Sequence, residues 1–228
     1  MIIEAIYGVL ATLIAIILHE LAHGLAAWAM GDTTAKAAGR LSLNPLRHVD
    51  KIGTVFLPIF LVVSQLATIG RVAFMFGWAK PVPVNAQALY IGTNHNPRRL
   101  MVLVALAGPA MNFTLAILGA ELLSLGYAAD FFTYFIEVNL VLGLFNLIPM
   151  PPMDGGRVLV GVLPLRAAIW VSGVEKYGIV LVMLLLFVLP TVLQQFNIHF
   201  DPMNDSFRMV LPWAMDLVMR ITGHANGF

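Results

Sequence analysis

The sequence predicts an all-α polytopic membrane protein with about four to six transmembrane helices, a re-entrant segment and room for a small membrane-associated β-hairpin. Three observations carry that expectation. Of the 228 residues, 60% are hydrophobic and only 11% are charged. A soluble domain carries about 25% charged residues, so the apolar surplus has to face lipid. Several apolar runs approach the roughly 20 residues that cross a hydrocarbon core, with polar or Pro- and Gly-rich stretches between them. The net charge is +1, from 13 Lys plus Arg against 12 Asp plus Glu, which excludes a nucleic-acid partner. With no cysteine in the chain, any metal must rest on His, Asp or Glu.

The first span runs from residue 3 to about 30. Glu4 stands where a signal peptide would carry positive charge, and no small-residue cleavage site follows. The segment reaches crossing length only if the stretch with His19, Glu20 and His23 lies in or near the membrane. Residues 31–51 are polar and turn-rich. Residues 52–76 are apolar but broken by Pro58, Gln65, Gly70 and Arg71, and they are too few for two crossings, so a re-entrant or kinked hairpin is expected, with a single crossing as the alternative. A Pro-rich stretch leads to Arg99. Leu100 to about Tyr127 and Phe131 to about Ile148 are the stronger spans, joined by a short link at Asp130, and a last one lies between about Ala167 and Leu193. Residues 1–193 thus form one membrane-embedded unit. The tail, 194–228, contains Arg208, Pro212 and Asp216 and suits an interfacial helix.

Chemistry begins at His19-Glu20-Leu21-Ala22-His23. Histidines four apart on a helix project from one face and reach one zinc ion. Glu20 then falls beside the metal, where it takes a proton from water, the general-base role of this motif in metalloproteases. Ionisable groups in an apolar span mark a functional site. A catalytic zinc needs a third protein ligand and an open position. Glu4, Asp32, Asp50, Glu121, Asp130, Glu137, Asp154 and Glu175 are the carboxylates that lie in or near the membrane. Asp154 stands out because Pro149, Pro151 and Pro152 precede it and Gly155 and Gly156 follow, so an irregular segment can aim it. An ordinary turn at the membrane surface is the competing reading of that run.

HELAH, GPAMN at Gly108 to Asn112, and NLIPMPPMDGGR at Asn146 to Arg157 resemble the hallmark segments of the site-2 protease family of intramembrane zinc metalloproteases. NPLRHVDKIGT and FGWAKPVPVN further resemble a compact prokaryotic branch, with no length left for PDZ or CBS domains. The resemblance implies His19, His23 and Asp154 as ligands of one zinc per chain, Glu20 as general base, and Asn146 and Asn112 as substrate-positioning residues. It also implies that Gly108 and Asn112 lie on a neighbouring core helix that packs closely and hydrogen-bonds across.

Orientation follows from depth. His19 lies roughly 24 Å along the first span at about 1.5 Å per residue, and Asp154 lies past the end of the Phe131 span. For both to reach one ion, those two spans run the same way and the Leu100 span runs against them, so residues 31 and 99 share one side. Lys36, Arg40, Arg47, Lys51, Arg71, Lys80, Arg98, Arg99, Arg157 and Arg166 place that side in the cytoplasm. The expected protein is a multi-pass cell-membrane enzyme that opens toward the cytoplasm and hydrolyses a peptide bond in or near a transmembrane segment of a protein substrate. A metal-ion or proton transporter using buried His and Asp is the runner-up, and a scaffold holding zinc structurally is a third class. His48 and His95 are read as loop histidines outside the metal site, and His199 and His224 as tail residues unrelated to it.

Overall fold

The computed structural model describes residues 2–70, 77–92, 96–198 and 200–223, and is helical wherever it is regular. In chain order the helices are α1 (Ile2–Ala29), α2 (Thr34–Ala37), α3 (Leu57–Ile69), α4 (Pro97–Ser124), α5 (Ala129–Asn146), α6 (Asp154–Val162), α7 (Leu165–Val174), α8 (Gly178–Met183), α9 (Leu189–Gln195) and α10 (Pro202–Ile221). A π-helical turn over Lys51–Phe56 leads into α3 without a break. Among the described residues, three segments are long and apolar enough to cross a membrane: Ile3–Ala29, Pro97–Ser124 and Leu165–Leu186. α5, expected as a strong span, is not among them. Asp130, Glu137, Asn139 and Asn146 lower its mean hydropathy, and Asn139 is turned into the core rather than toward lipid.

α1, α4 and α5 form the centre. α1 turns a face of small residues inward, with Ala11, Ala15, Ala22 and Ala27 buried. α4 answers with Ala105, Gly108, Ala116, Gly119 and Ala120. Small residues let helix axes approach where lipid offers no hydrophobic drive for association. Ala27 and Met30, at the end of α1, cluster with Leu100 and Val104 at the start of α4, while Ala11 clusters with Leu115 and with Phe135 of α5. α4 is therefore antiparallel to α1. Gly143 of α5 meets Asn112 and Phe113, so α5 runs with α1, as the depth argument requires. α4 starts sharply because Asn96 accepts the Arg99 N–H and Pro97 opens the first turn. α10 lays its buried Ala214 and Val218 against Ala116, Ala120, Ile136 and Leu140, so the tail is packed on α4 and α5.

Residues 77–85, called the strap below, cross the end of α1 without forming helix or strand. Among the described residues there is no β-hairpin. Pro81 and Pro83 remove alternate N–H donors that a ladder would need. Side-chain and loop groups hold the strap instead. Lys80 N donates to His48 O at 2.9 Å and Trp78 N to Gly53 O at 3.2 Å. The buried Arg40 donates to Lys80 O at 2.5 Å and also to Arg47 O. At the far end Asn85 N donates to Asp32 Oδ2 at 2.6 Å. Asp32 also accepts from the Thr34 N–H and hydroxyl. Burial pushes its carboxyl up, and these three donors outweigh that and hold it below the ordinary carboxylate range. His48, read from the sequence as a loop histidine, is buried, with Nε2 2.8 Å from Ser42 O. His95, His199, His224 and Arg71 lie outside the described residues.

Candidate active site

His19 and His23 sit on the inner face of α1 with ring centroids 4.6 Å apart. They face Gly108, where a Cβ would fall 2.6 Å from the Cε1 atom of each ring and closer still to His23 Nε2. Asp154 reaches the same point from the first turn of α6. The chain reverses tightly between α5 and α6, and only glycines fit there. A Cβ on Gly155 would lie 2.6 Å from the Leu147 carbonyl carbon, and one on Gly156 would lie 2.6 Å from Pro151 N. Prolines and glycines thus aim the carboxylate from an irregular segment.

The three residues are 5%, 6% and 6% exposed. His19 Nε2 and His23 Nε2 are 3.0 Å apart, and they lie 3.2 and 3.1 Å from Asp154 Oδ2. A tetrahedral zinc with bonds of about 2.0–2.1 Å needs ligand atoms about 3.3 Å apart, so the triangle accepts the ion with a shift of a few tenths of an ångström. The ring nitrogens facing away support the fit independently. His23 Nδ1 lies 2.7 Å from Val104 O, and His19 Nδ1 lies 2.5 Å from Asn112 Oδ1. Both oxygens accept, so each Nδ1 carries the proton and each Nε2 presents a lone pair. Two lone pairs and a carboxylate facing one another make a donor set that can hold a cation.

Glu20 follows His19 and so turns about 100° away from the ligand face. Its Oε2 accepts the Val82 N–H at 2.9 Å; that donor lies between Pro81 and Pro83 of the strap. Glu20, His19, His23 and Asp154 line one cleft of about 350 Å³ with Trp78, Val82, Phe145, Asn146 and Arg157. Asn146 donates Nδ2 to Leu142 O at 2.9 Å; an amide nitrogen has a second hydrogen. Asn112 is fully buried behind His19, outside the cleft lining. Arg157 lies 4.0 Å from Asp154 Oδ1 and 3.8 Å from Glu175. Glu175 sits within the helical run Leu165–Leu186.

The family model for peptidase family M50 matches residues 7–127 and 120–189. The chain belongs to peptidase family M50. A Bacillus subtilis (strain 168) protein provisionally named zinc metalloprotease YwhC is 39% identical over 197 residues, covering 81% of each chain. A Mycolicibacterium smegmatis protein provisionally named zinc metalloprotease Rip2 is 28% identical over 182 residues, 76% of this chain and 64% of its own. The Mycobacterium tuberculosis (H37Rv) protein of the same name is 27% identical over 213 residues, 90% and 71%. No solved structure matches the chain. The M50 assignment establishes the site-2 protease type that HELAH and NLIPMPPMDGGR pointed to, and with it a zinc metalloprotease.

Three contributions to this M50 site went unread in the sequence: Asn139, the Val104 carbonyl and the Val82 N–H. Asn139 had a signal, since it lies two turns before Asn146 on an apolar helix. The other two are backbone groups and carry none. Gly108 yields a prediction. Gly108→Ala is expected to force both rings aside and to lower zinc content at least tenfold, with the protein still folded, as read by metal analysis of the purified protein and its thermal melt. Wild-type zinc content in that variant would show that the rings have room to move.

Proposed function

We propose that this protein hydrolyses a peptide bond in or next to a transmembrane segment, in the cleft between α1, α5, α6 and the strap. The observation that carries the proposal is the meeting of two helix-borne histidines, an aspartate and a glutamate in one cleft at the end of a membrane-length helix. His19, His23 and Asp154 would hold the zinc, which would supply a Lewis acid for the peptide carbonyl and for water near neutral pH. Glu20 accepts the proton of the attacking water and returns it to the leaving amine. The Val82 N–H fixes the direction of the carboxylate. Asn146, at the rim, donates its second amide hydrogen to the substrate carbonyl as negative charge develops. A helical substrate hides its carbonyls in its own hydrogen bonds, so it unwinds before it enters.

The cleft is proposed to open to the cytoplasm. Trp78 packs on Gly53 and hydrogen-bonds to its carbonyl, so the segment between them leaves and returns at one depth. That supports a re-entrant reading of 52–76, of which 71–76 lie outside the described residues. Met30 O receives Tyr90 N at 2.8 Å, which keeps the end of α1 and the approach to α4 on one side. Single cysteines at the exposed Ala38 and Gln87 are expected to react with a membrane-impermeant thiol reagent only from the cytoplasmic face. Labelling from opposite faces would overturn the topology.

Purified protein in lipid nanodiscs is expected to cleave a model single-span substrate, to stop on adding a zinc chelator and to recover with zinc. Zinc flux into vesicles without any cleavage would favour a transporter and overturn the proposal.

A further inference from the structure

Behind His19 lie two asparagines on different helices, both fully buried. A buried amide left unpaired is costly, so their neighbours decide which way each points. The sequence of choices starts at a backbone atom. Phe135 O only accepts, so Asn139 turns Nδ2 toward it at 2.8 Å. Asn139 Oδ1 is then left to accept Asn112 Nδ2 at 2.9 Å. The Ala15 carbonyl, 3.5 Å from the same nitrogen, favours the same orientation. Asn112 therefore presents Oδ1 to His19 Nδ1 at 2.5 Å, which places the proton on Nδ1 and the lone pair on Nε2, facing His23 and Asp154.

We infer that Asn139 is a positioning residue of the metal site: acting through Asn112, it sets which nitrogen of His19 carries the proton and so holds Nε2 as a ligand. His23 has no such dependence. Its Nδ1 faces the Val104 carbonyl, whose direction no side chain can reverse. The two ligands of one ion thus differ in what orients them, one by an amide relay across three helices and the other by backbone. The inference rests on the zinc-site reading above.

The test exploits that asymmetry in full-length protein in detergent. Asn139→Leu keeps the volume but removes the acceptor, so Asn112 is free to turn over. It is expected to bind zinc about tenfold more weakly, by competition with a chromophoric chelator. The Nδ1 ring proton of His19 should exchange faster with solvent in the zinc-loaded protein, while that of His23 is unchanged. Asn139→Asp restores the acceptor, because a carboxyl, ionised or protonated, still accepts from Asn112, and it is expected to recover most of the affinity and the His19 signal. Asn139→Ala removes the same acceptor and gives the same comparison if the Leu variant does not fold. The wild-type protein carries a variant-free test, since its side-chain amide couplings report which asparagine donates. Unchanged zinc affinity in Asn139→Leu, equal effects on His19 and His23, or Asn139 donating to Asn112 would each overturn the inference. A wild-type protein that binds no zinc would instead overturn the reading on which it rests.

Discussion

Glu20→Gln is expected to keep its zinc and to lose proteolysis by about 10²–10⁴-fold, the usual contribution of a general base. The residue follows His19 on α1 and points off the ligand face, toward Val82 N rather than toward the triangle of His19, His23 and Asp154. Gln has the same length, and its amide oxygen can accept the same N–H, so the strap should stay in place. What disappears is the ability to take a proton. Metal analysis and cleavage of a single-span substrate, measured on one preparation, separate the two roles. Cleavage at the wild-type rate would remove Glu20 from the mechanism, and loss of zinc would make it a ligand.

Asp154→Ala is expected to strip the site. Loss of a supporting group behind a ligand typically costs 10–100-fold in metal affinity, and removing the only anionic ligand should exceed the upper end of that range. Two imidazoles would remain, and Arg157 would keep Glu175 within ion-pair range. His19→Ala and His23→Ala should behave likewise. Zinc content of protein purified in parallel, beside a thermal melt to check folding, reads the result. Normal zinc in Asp154→Ala would exclude it as the third ligand and return the search to the other carboxylates.

Much of this was legible in the chain. His19 and His23 at a four-residue spacing need only a helix to share a face, and an apolar segment of that length has no other stable form in lipid. The prolines and glycines around Asp154 signal an irregular segment because their backbone limits are local. Residues 52–76 read as too short for two crossings, because each crossing needs about 20 residues. α5 is not among the membrane-length apolar segments, because hydropathy averages a helix around its circumference, while Asn139 matters only through the direction in which it points.

The sequence by itself determined the solvent, since 60% hydrophobic and 11% charged residues leave no way to cover a soluble surface. It also determined the donor types at the metal, because without cysteine only nitrogen and oxygen ligands remain. Tertiary structure alone decided how those donors are held. The partners that orient them come from positions 62 to 93 residues away, and several are backbone groups every residue possesses: Val104 O on His23, Val82 N on Glu20 and, at the end of the amide relay, Phe135 O. A hydrogen bond depends on direction within a few tenths of an ångström, and direction across three helices is set by how Gly108, Gly119 and Gly143 let them close together. Local spacing cannot encode it.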